Sequence, residues 1–192
     1  MTLHYAFLGL IIVSMAVAAG CASPSGASAT NWQQKLQETI PLFGHWNWIV
    51  IADSAYPAQS RSGIETVVSG ADHLEVVEKV LAAVGASKHI TPIIYTDQEL
   101  KFVPEEDAAG ISAYRQQLAK LLGRREVSVM EHTKIISLLD QAGQTFRILI
   151  IKTNMTLPYT SVFLQLGCGY WGADAEQRLR KGMPAPSPVK TP

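Results

Sequence analysis

Four side chains of this sequence are candidates for moving protons or binding hydroxyl groups: His45, Asp53, His132 and Tyr159. An imidazole titrates near neutral pH, so a histidine can accept and donate a proton without a metal or a cofactor. A carboxylate can orient that imidazole or accept hydrogen bonds from hydroxyl groups. Aromatic rings, which pack on the C–H faces of sugars, are nearby in sequence at Trp46, Trp48 and Tyr56.

Each of these residues also has a structural interpretation. His45 fits a loop histidine that bonds to the backbone, and Asp53 is of the type that caps a turn after a strand. His132 fits a neutral imidazole in the first turn of a helix, where a positive charge is unfavourable. Trp46 and Trp48 fit a hydrophobic core. The sequence leaves these alternatives open.

Composition and missing motifs exclude several other functions. The chain has no GxxxxGK[ST], GxGxxG, HExxH, CxxC or GxSxG motif, so nucleotide, metal and acyl-transfer chemistry have little support. We therefore expect no cofactor and no metal. The 16 basic and 16 acidic residues balance, which argues against nucleic-acid binding. Two cysteines cannot form a disulfide framework, and Cys168 is expected to be a small packed residue.

Hydrophobic periodicity predicts strands that alternate with helices. A helix is expected to begin at Asn31–Trp32, and another follows Asp72 and ends near Gly85. Further helices are predicted over 105–122 and 132–141, and strands over 48–52, 64–68, 89–95, 127–130, 146–152 and 161–166. This alternation predicts a three-layer α/β fold, with a mostly parallel sheet and helices on both faces.

The predicted topology also indicates where a site would lie. In open α/β sheets, ligands bind at the carboxyl ends of the strands. That rule selects Asp53 after the first strand, His132 after a middle strand, and the loop 154–159 after the 146–152 strand.

The two ends of the chain are predicted to lie outside this domain. Residues 1–20 carry no charged Lys, Arg, Asp or Glu and read as a signal peptide, with the apolar run Phe7–Ala19. The small residues before Cys21 resemble a lipobox, which predicts a lipidated Cys21 and an anchor in the bacterial outer membrane, facing the periplasm. The alternative is an ordinary secretory signal with Cys21 incidental. We expect a tether over 21–30, the domain over 31–172 and a polar, Pro-rich tail over 173–192.

Two motifs resemble the RbsD/FucU family of ribose pyranases and fucose mutarotases. Gly44-His-Trp-Asn47, the strand that follows, and Asp53-Ser-Ala-Tyr-Pro57 are similar to the family's Gly-His-x-Asp, strand, Asp-Ala-x-x-Pro. Near the other end, Phe146–Ile151 and then Pro158–Val162 resemble its closing strand and Pro/Lys-Tyr-x-Asn-Ile motif. His132 stands where the pyranase branch has a histidine. The resemblance covers about residues 31–170.

The resemblance implies an RbsD-like α/β fold and a homo-oligomeric ring, often a decamer, with sites near subunit boundaries. It implies cofactor-free interconversion of the ring forms of a free monosaccharide. The residues it assigns to catalysis are His45 as principal acid–base, Asp53 as its orienter or a hydroxyl ligand, and His132 as a second proton-transfer group.

Sugar binding is assigned, by the same resemblance, to Asn47, Tyr159 and Ser161. The sequence departs from the family pattern at Asn47, where the family has Asp, at Ser54, where it has Ala, and at Ser161, where it has Asn. These departures favour an alternative, a non-catalytic carbohydrate-binding or structural envelope lipoprotein on the same fold.

Overall fold

The computed structural model describes residues 31–184. Five helices and six strands follow one another as α1 (Trp32–Thr39), β1 (Trp48–Ala52), β2 (Ile64–Val68), α2 (His73–Gly85), β3 (Ile90–Asp97), α3 (Ile111–Leu122), β4 (Val127–Met130), α4 (His132–Ala142), β5 (Ile148–Lys152), β6 (Val162–Cys168) and α5 (Ala173–Gly182). Short 3₁₀ helices over Ile40–Leu42 and Gln98–Phe102 extend α1 and β3.

All six strands form one sheet in the order β2-β5-β1-β6-β3-β4. The pairs β2–β5, β5–β1 and β3–β4 are parallel, whereas β6 runs antiparallel to both of its neighbours, β1 and β3. Because β6 is reversed, its first residues lie at the edge where the other strands end.

Two hydrophobic cores, one on each face, hold the helices to this sheet. On one face, Ile49 and Ile51 of β1 pack in a cluster with apolar residues of α1, α2 and α3. On the other face, Trp48 and Val50 pack with Ile135 and other residues of α4. Every residue of β1 is buried, which is the pattern of a strand covered on both sides. The predicted three-layer α/β fold with a mostly parallel sheet is confirmed.

Most predicted element boundaries agree with the structure to within about two residues, and the largest difference is at the start of α3. Asp72 caps α2, since its carboxylate accepts the N–H groups of Leu74 and Glu75. The helix predicted from residue 105 begins only at Ile111. Glu105 instead stabilises the preceding turn, because its carboxylate accepts the N–H groups of Gly110 and Ser112.

A helix that the sequence did not predict lies in the first half of the expected tail over 173–192. Residues Ala173–Gly182 form α5, which has acidic residues in its first turn and basic residues in its last. Its side chains are not buried, so no apolar periodicity marked it. The predicted signal peptide, Cys21 and the tether lie outside the described residues. Within residues 31–184, no helix is long and apolar enough to cross a membrane.

Candidate functional site

Polar residues from four neighbouring strands meet where the parallel strands end. We call this side of the sheet the carboxyl edge, and the side where these strands begin the amino edge. Asp53 follows β1, Ser161 precedes the reversed β6, Asp97 ends β3, and His132 follows β4 by two residues. The register pairs Thr96 with Val162 and Asp97 with Met130, so this row is continuous across the sheet. The prediction that Asp53, His132 and the Tyr159 loop would share this edge agrees with the structure.

The carboxylate of Asp53 organises the turn after β1. Its Oδ1 accepts the N–H of Ala55 at 2.9 Å, which is the turn-capping role that the sequence left open. Its Oδ2 accepts the hydroxyl of Ser161 at 3.1 Å. Ser161 is fully buried, so its side chain ties β6 to the end of β1.

His132 lies between a carboxylate and an aromatic ring. Its Nδ1 is 3.1 Å from Oδ1 of Asp97, and its ring meets the ring of Tyr159 edge-on, with 5.4 Å between centroids. The N–H group of its backbone is bound by both carboxylate oxygens of Glu99 at 3.1 Å, which fixes the start of α4. The side chain of His132 keeps 31% exposure, so it remains open to a ligand.

Burial sets the electrostatics of this edge. It raises the pKa of the Asp97 carboxyl, which is removed from water, and the nearby imidazole of His132 opposes that rise. Burial also raises the pKa of Tyr56, with the charges of Asp97 and Asp53 adding to the effect. These shifts place Asp97 among the groups that titrate closer to neutrality than an ordinary carboxyl.

Tyr159 is held in a conformation that non-glycine residues rarely adopt, with a φ of 57°. The next residue, Thr160, closes the turn through its hydroxyl, which donates to the carbonyl of Leu157 at 2.9 Å. The carbonyl of Thr160 in turn accepts the hydroxyl of buried Tyr114 at 2.8 Å, and that hydroxyl also contacts His73 Nδ1 at 3.2 Å. The loop is therefore supported from inside the core.

The structure does not bring His45 to this cluster within one chain. His45 precedes β1 and Asp53 follows it, so roughly 15 Å of extended strand separates them. The side chain of His45 is exposed at the amino edge, where its ring lies 4.5 Å from that of Trp46. The expectation that Asp53 orients His45 is therefore corrected for two residues of one chain, because they lie at opposite ends of β1.

Asn47 also lies at the amino edge, where it holds the turn that carries His45. Its Oδ1 accepts the N–H of Gly44 at 2.8 Å, and its Nδ2 donates to the carbonyl of Arg147 at 3.0 Å. Trp46 in this turn has a φ of 74° and is 52% exposed, whereas Trp48 is buried in the core. Asn47 is therefore too far from the carboxyl edge of its own chain to bind a sugar there.

Asp97 is a residue of this edge that the sequence did not single out. The predicted strand ended at Tyr95, so the rule that ligands bind at the carboxyl ends of strands (the strand-end rule) did not select Asp97. Applied to the observed end of β3, the same rule selects it. Among residues 31–184, no three His, Cys, Asp or Glu side chains are grouped closely enough to hold a metal ion.

Together the fold and the edge define an open α/β protein with a small polar site that is built from strand ends. The model of the RbsD / FucU transport protein family matches residues 30–169, so the chain belongs to that family. No curated protein matches the sequence.

Two similar solved structures carry bound sugars. Bacillus subtilis RbsD, solved with D-ribose, is 19% identical with a TM-score of 0.50, over 69% of this chain and 91% of its own. The fucose mutarotase from Streptococcus pneumoniae, solved with L-fucose, is 19% identical with a TM-score of 0.47, over 72% of this chain and 95% of its own. At 19% identity, the likeness to the Bacillus subtilis protein shows the fold alone.

Proposed function

We propose that this protein is a cofactor-free mutarotase or pyranase that interconverts the ring forms of a free monosaccharide. The observation that carries the proposal is the meeting of His132 and Tyr159 with the Asp53–Ser161 pair at one edge of the sheet. Membership of the RbsD/FucU family and the D-ribose bound to the Bacillus subtilis protein supply the substrate class.

The chemistry needs one group that accepts a proton and one that donates a proton. In the forward step, a histidine takes the proton from the anomeric hydroxyl while the bond from the anomeric carbon to the ring oxygen breaks. A second group gives a proton to the ring oxygen, and the open-chain carbonyl form results. Closure on the other face, or by another hydroxyl, reverses both transfers. Assistance of this kind contributes roughly 10²–10⁴-fold.

His132 provides one of these groups at the carboxyl edge, where Tyr159 contributes a phenol and an aromatic face. We assign Tyr159 to sugar binding. Ser161 has its hydroxyl committed to Asp53, so its contribution is to hold the edge together.

In this proposal, His45 takes part in proton transfer at the site of a second copy of the chain. His45 is exposed beside Trp46 at the amino edge, and the site of its own chain is out of reach. In a homo-oligomer, the His45 of a neighbouring subunit would face the His132 site and complete the proton-transfer pair. This assembly is consistent with the subunit-boundary sites that the family resemblance implies.

The direct test is exchange NMR of free ribose, fucose and other monosaccharides with the protein. We expect the wild type to accelerate exchange between ring forms, and His132→Ala and His45→Ala to lower the rate at least 10²-fold. Lys134→Ala, two residues further along α4 and exposed, is the matched control with wild-type rates. A wild type that accelerates no sugar, or undiminished rates in both histidine variants, would refute the proposal.

The Asp53–Ser161 bond favours a second candidate, a carbohydrate-binding protein without catalysis, because it occupies a carboxylate that could otherwise serve a reaction. Calorimetry with the same sugar panel separates the two. Saturable binding without accelerated exchange would support the second candidate, and rapid exchange would exclude it.

We also propose that Cys21 carries the lipid anchor that holds the domain to the bacterial outer membrane, facing the periplasm. The support is the small-residue sequence that precedes Cys21 after the apolar run. Labelled fatty acid should be incorporated by the wild type and not by Cys21→Ser. Equal labelling of both proteins would remove the anchor from this proposal.

A further inference from the structure

Asp97 is a buried carboxylate with one oxygen 3.1 Å from the imidazole ring of His132. Its side chain is 0% exposed, and neither of its oxygens has an aligned hydrogen bond. The same holds for Nδ1 of His132, which is buried although the rest of the ring reaches solvent. An unpaired polar group in the interior is destabilising. Two buried polar groups that lie 3.1 Å apart, with no other hydrogen-bond partner, are therefore expected to bond to each other.

We propose that Asp97 is the positioning residue that holds the Nδ1 proton of His132, so that the lone pair of Nε2 faces the substrate. This assignment rests on the proposed function, because it names the group that prepares His132 for proton transfer. A carboxylate in this place fixes the tautomer and the ring orientation, and it stabilises the imidazolium that forms when Nε2 takes a proton.

The surroundings make this arrangement rigid. Glu99 holds the backbone N–H of His132, so the start of α4 cannot shift away from the end of β3. The edge-on contact with Tyr159 limits rotation of the ring from the other side. The imperfect alignment of the Nδ1–Oδ1 contact is of the kind that tightens when a substrate binds.

Burial has the largest effect on the pKa of Asp97, and three nearby charged groups modify it. His132 on α4 favours the carboxylate, whereas Glu99 on the 3₁₀ helix and Asp53 after β1 disfavour it. The buried rings of Tyr56 and Tyr114 also lie within reach of its charge. Because burial raises the pKa of Asp97, the Asp97–His132 pair should lose function on the acidic side at a higher pH than an exposed carboxylate would impose.

The primary test is the tautomer of His132, read from the ¹⁵N shifts of its two ring nitrogens at a pH where the ring is neutral. In the wild type we expect the proton on Nδ1. In Asp97→Ala, which removes the acceptor, we expect it to move largely to Nε2. Glu99→Gln is the matched control, since it removes a neighbouring carboxylate that contacts only the backbone of His132, and it should leave the tautomer unchanged.

Exchange kinetics supply the second readout. Asp97→Asn keeps the shape and an acceptor but removes the charge, so we expect kcat to fall about 10- to 100-fold while KM stays within about twofold. A purely structural role would lower the amount of folded protein without this split. The Asn variant also carries the test if the Ala variant does not fold.

Two results would overturn the assignment: a wild-type His132 with its proton on Nε2, or an unchanged kcat in Asp97→Asn. The tautomer of the wild type decides the matter even without activity. If the wild type accelerates no sugar exchange, the proposed function fails while the tautomer still reports whether Asp97 orients His132.

Discussion

Among the histidines of residues 31–184, His73 is the one removed completely from water. Burial lowers its pKa from 6.5 to about 4, while the Ile51 carbonyl and the charges of Asp72 and Asp53 partly oppose the shift. The unfolded chain therefore binds a proton more readily than the folded one between pH 6.5 and 4. As a result, the stability contributed by neutral His73 is lost as the pH falls through this window.

Asp97 acts in the opposite direction. Its pKa is raised in the folded protein, so the folded state binds the proton more readily and stability declines as the pH rises through the same acidic range. In the wild type the two contributions partly cancel. We therefore expect Asp97→Asn to lose more unfolding free energy between pH 7 and 4.5 than the wild type, with His73 contributing about 2 kcal/mol of the fall.

Urea unfolding of both proteins at a series of pH values measures this difference. His73→Gln in the Asp97→Asn background is the control, because it removes the titrating ring and should flatten the profile. Parallel profiles for the wild type and Asp97→Asn would contradict the opposing signs.

Asn47 shows how one position can hold either of two residue types. Its essential contact is the acceptor bond to the N–H of Gly44, which an Asp side chain makes equally well. The family's Gly-His-x-Asp pattern is thus met by Asn in this chain with the turn preserved, and the donor bond to Arg147 is added.

This role predicts a graded series at position 47. Asn47→Asp should cost less than about 1 kcal/mol of unfolding free energy, whereas Asn47→Leu, which leaves the Gly44 N–H unpaired, should cost about 1–3 kcal/mol. Denaturant titration gives both values. Equal costs for the two substitutions would mean that the acceptor bond does not hold the turn.

At the scale of elements, the loop that carries Tyr159 depends on a support from α3. The hydroxyl of Tyr114 reaches across the core to the carbonyl of Thr160, directly after the left-handed Tyr159. A residue with positive φ persists only where its surroundings hold it. Tyr114 is thus expected to keep the loop in the shape that places Tyr159 against His132.

Tyr114→Phe should therefore lower the unfolding free energy by about 1–2 kcal/mol and speed hydrogen exchange of the amides in segment 159–161. Tyr95→Phe is the matched control, because its hydroxyl bonds to Gln165 and lies away from that loop. Unaltered exchange in Tyr114→Phe, or the same acceleration in Tyr95→Phe, would show that the support is not local.

The sequence predicted those elements whose apolar pattern is strong and missed those fixed by contacts distant in sequence. The continuous run Trp48–Ala52 predicted β1 with its observed bounds, and Asp72 and Gly85 marked the two ends of α2. No local pattern records that β6 runs antiparallel, because strand direction depends on where the chain returns. The helix α5 was missed because its side chains are not buried.

The sequence likewise predicted only part of the candidate site. The strand-end rule found Asp53, His132 and the Tyr159 loop, because it needs only the order of elements. It missed Asp97 because the predicted strand stopped two residues early. It could not show that His45 lies at the opposite edge, since the motif that joins His45 to Asp53 in sequence says nothing of the distance that a strand places between them.

At the scale of the whole molecule, the two proposed proton-transfer groups lie at opposite edges of one sheet. His132 is at the carboxyl edge and His45 at the amino edge, beside the half-exposed Trp46. A single chain therefore presents half of the proposed pair at each edge. Only contact between copies, with the amino edge of one against the carboxyl edge of another, would bring the halves together.

Subunit mixing tests this arrangement directly. His45→Ala and His132→Ala should each be inactive alone, because every site lacks one group. When the two variants are unfolded together and reassembled in equal amounts, random mixing gives about a quarter of the sites both histidines, so exchange activity should return to about a quarter of the wild-type level. Light scattering before and after mixing confirms that assemblies of the same mass have formed. If both histidines served a site within one chain, mixed assemblies of the wild-type mass would remain as inactive as the separate variants.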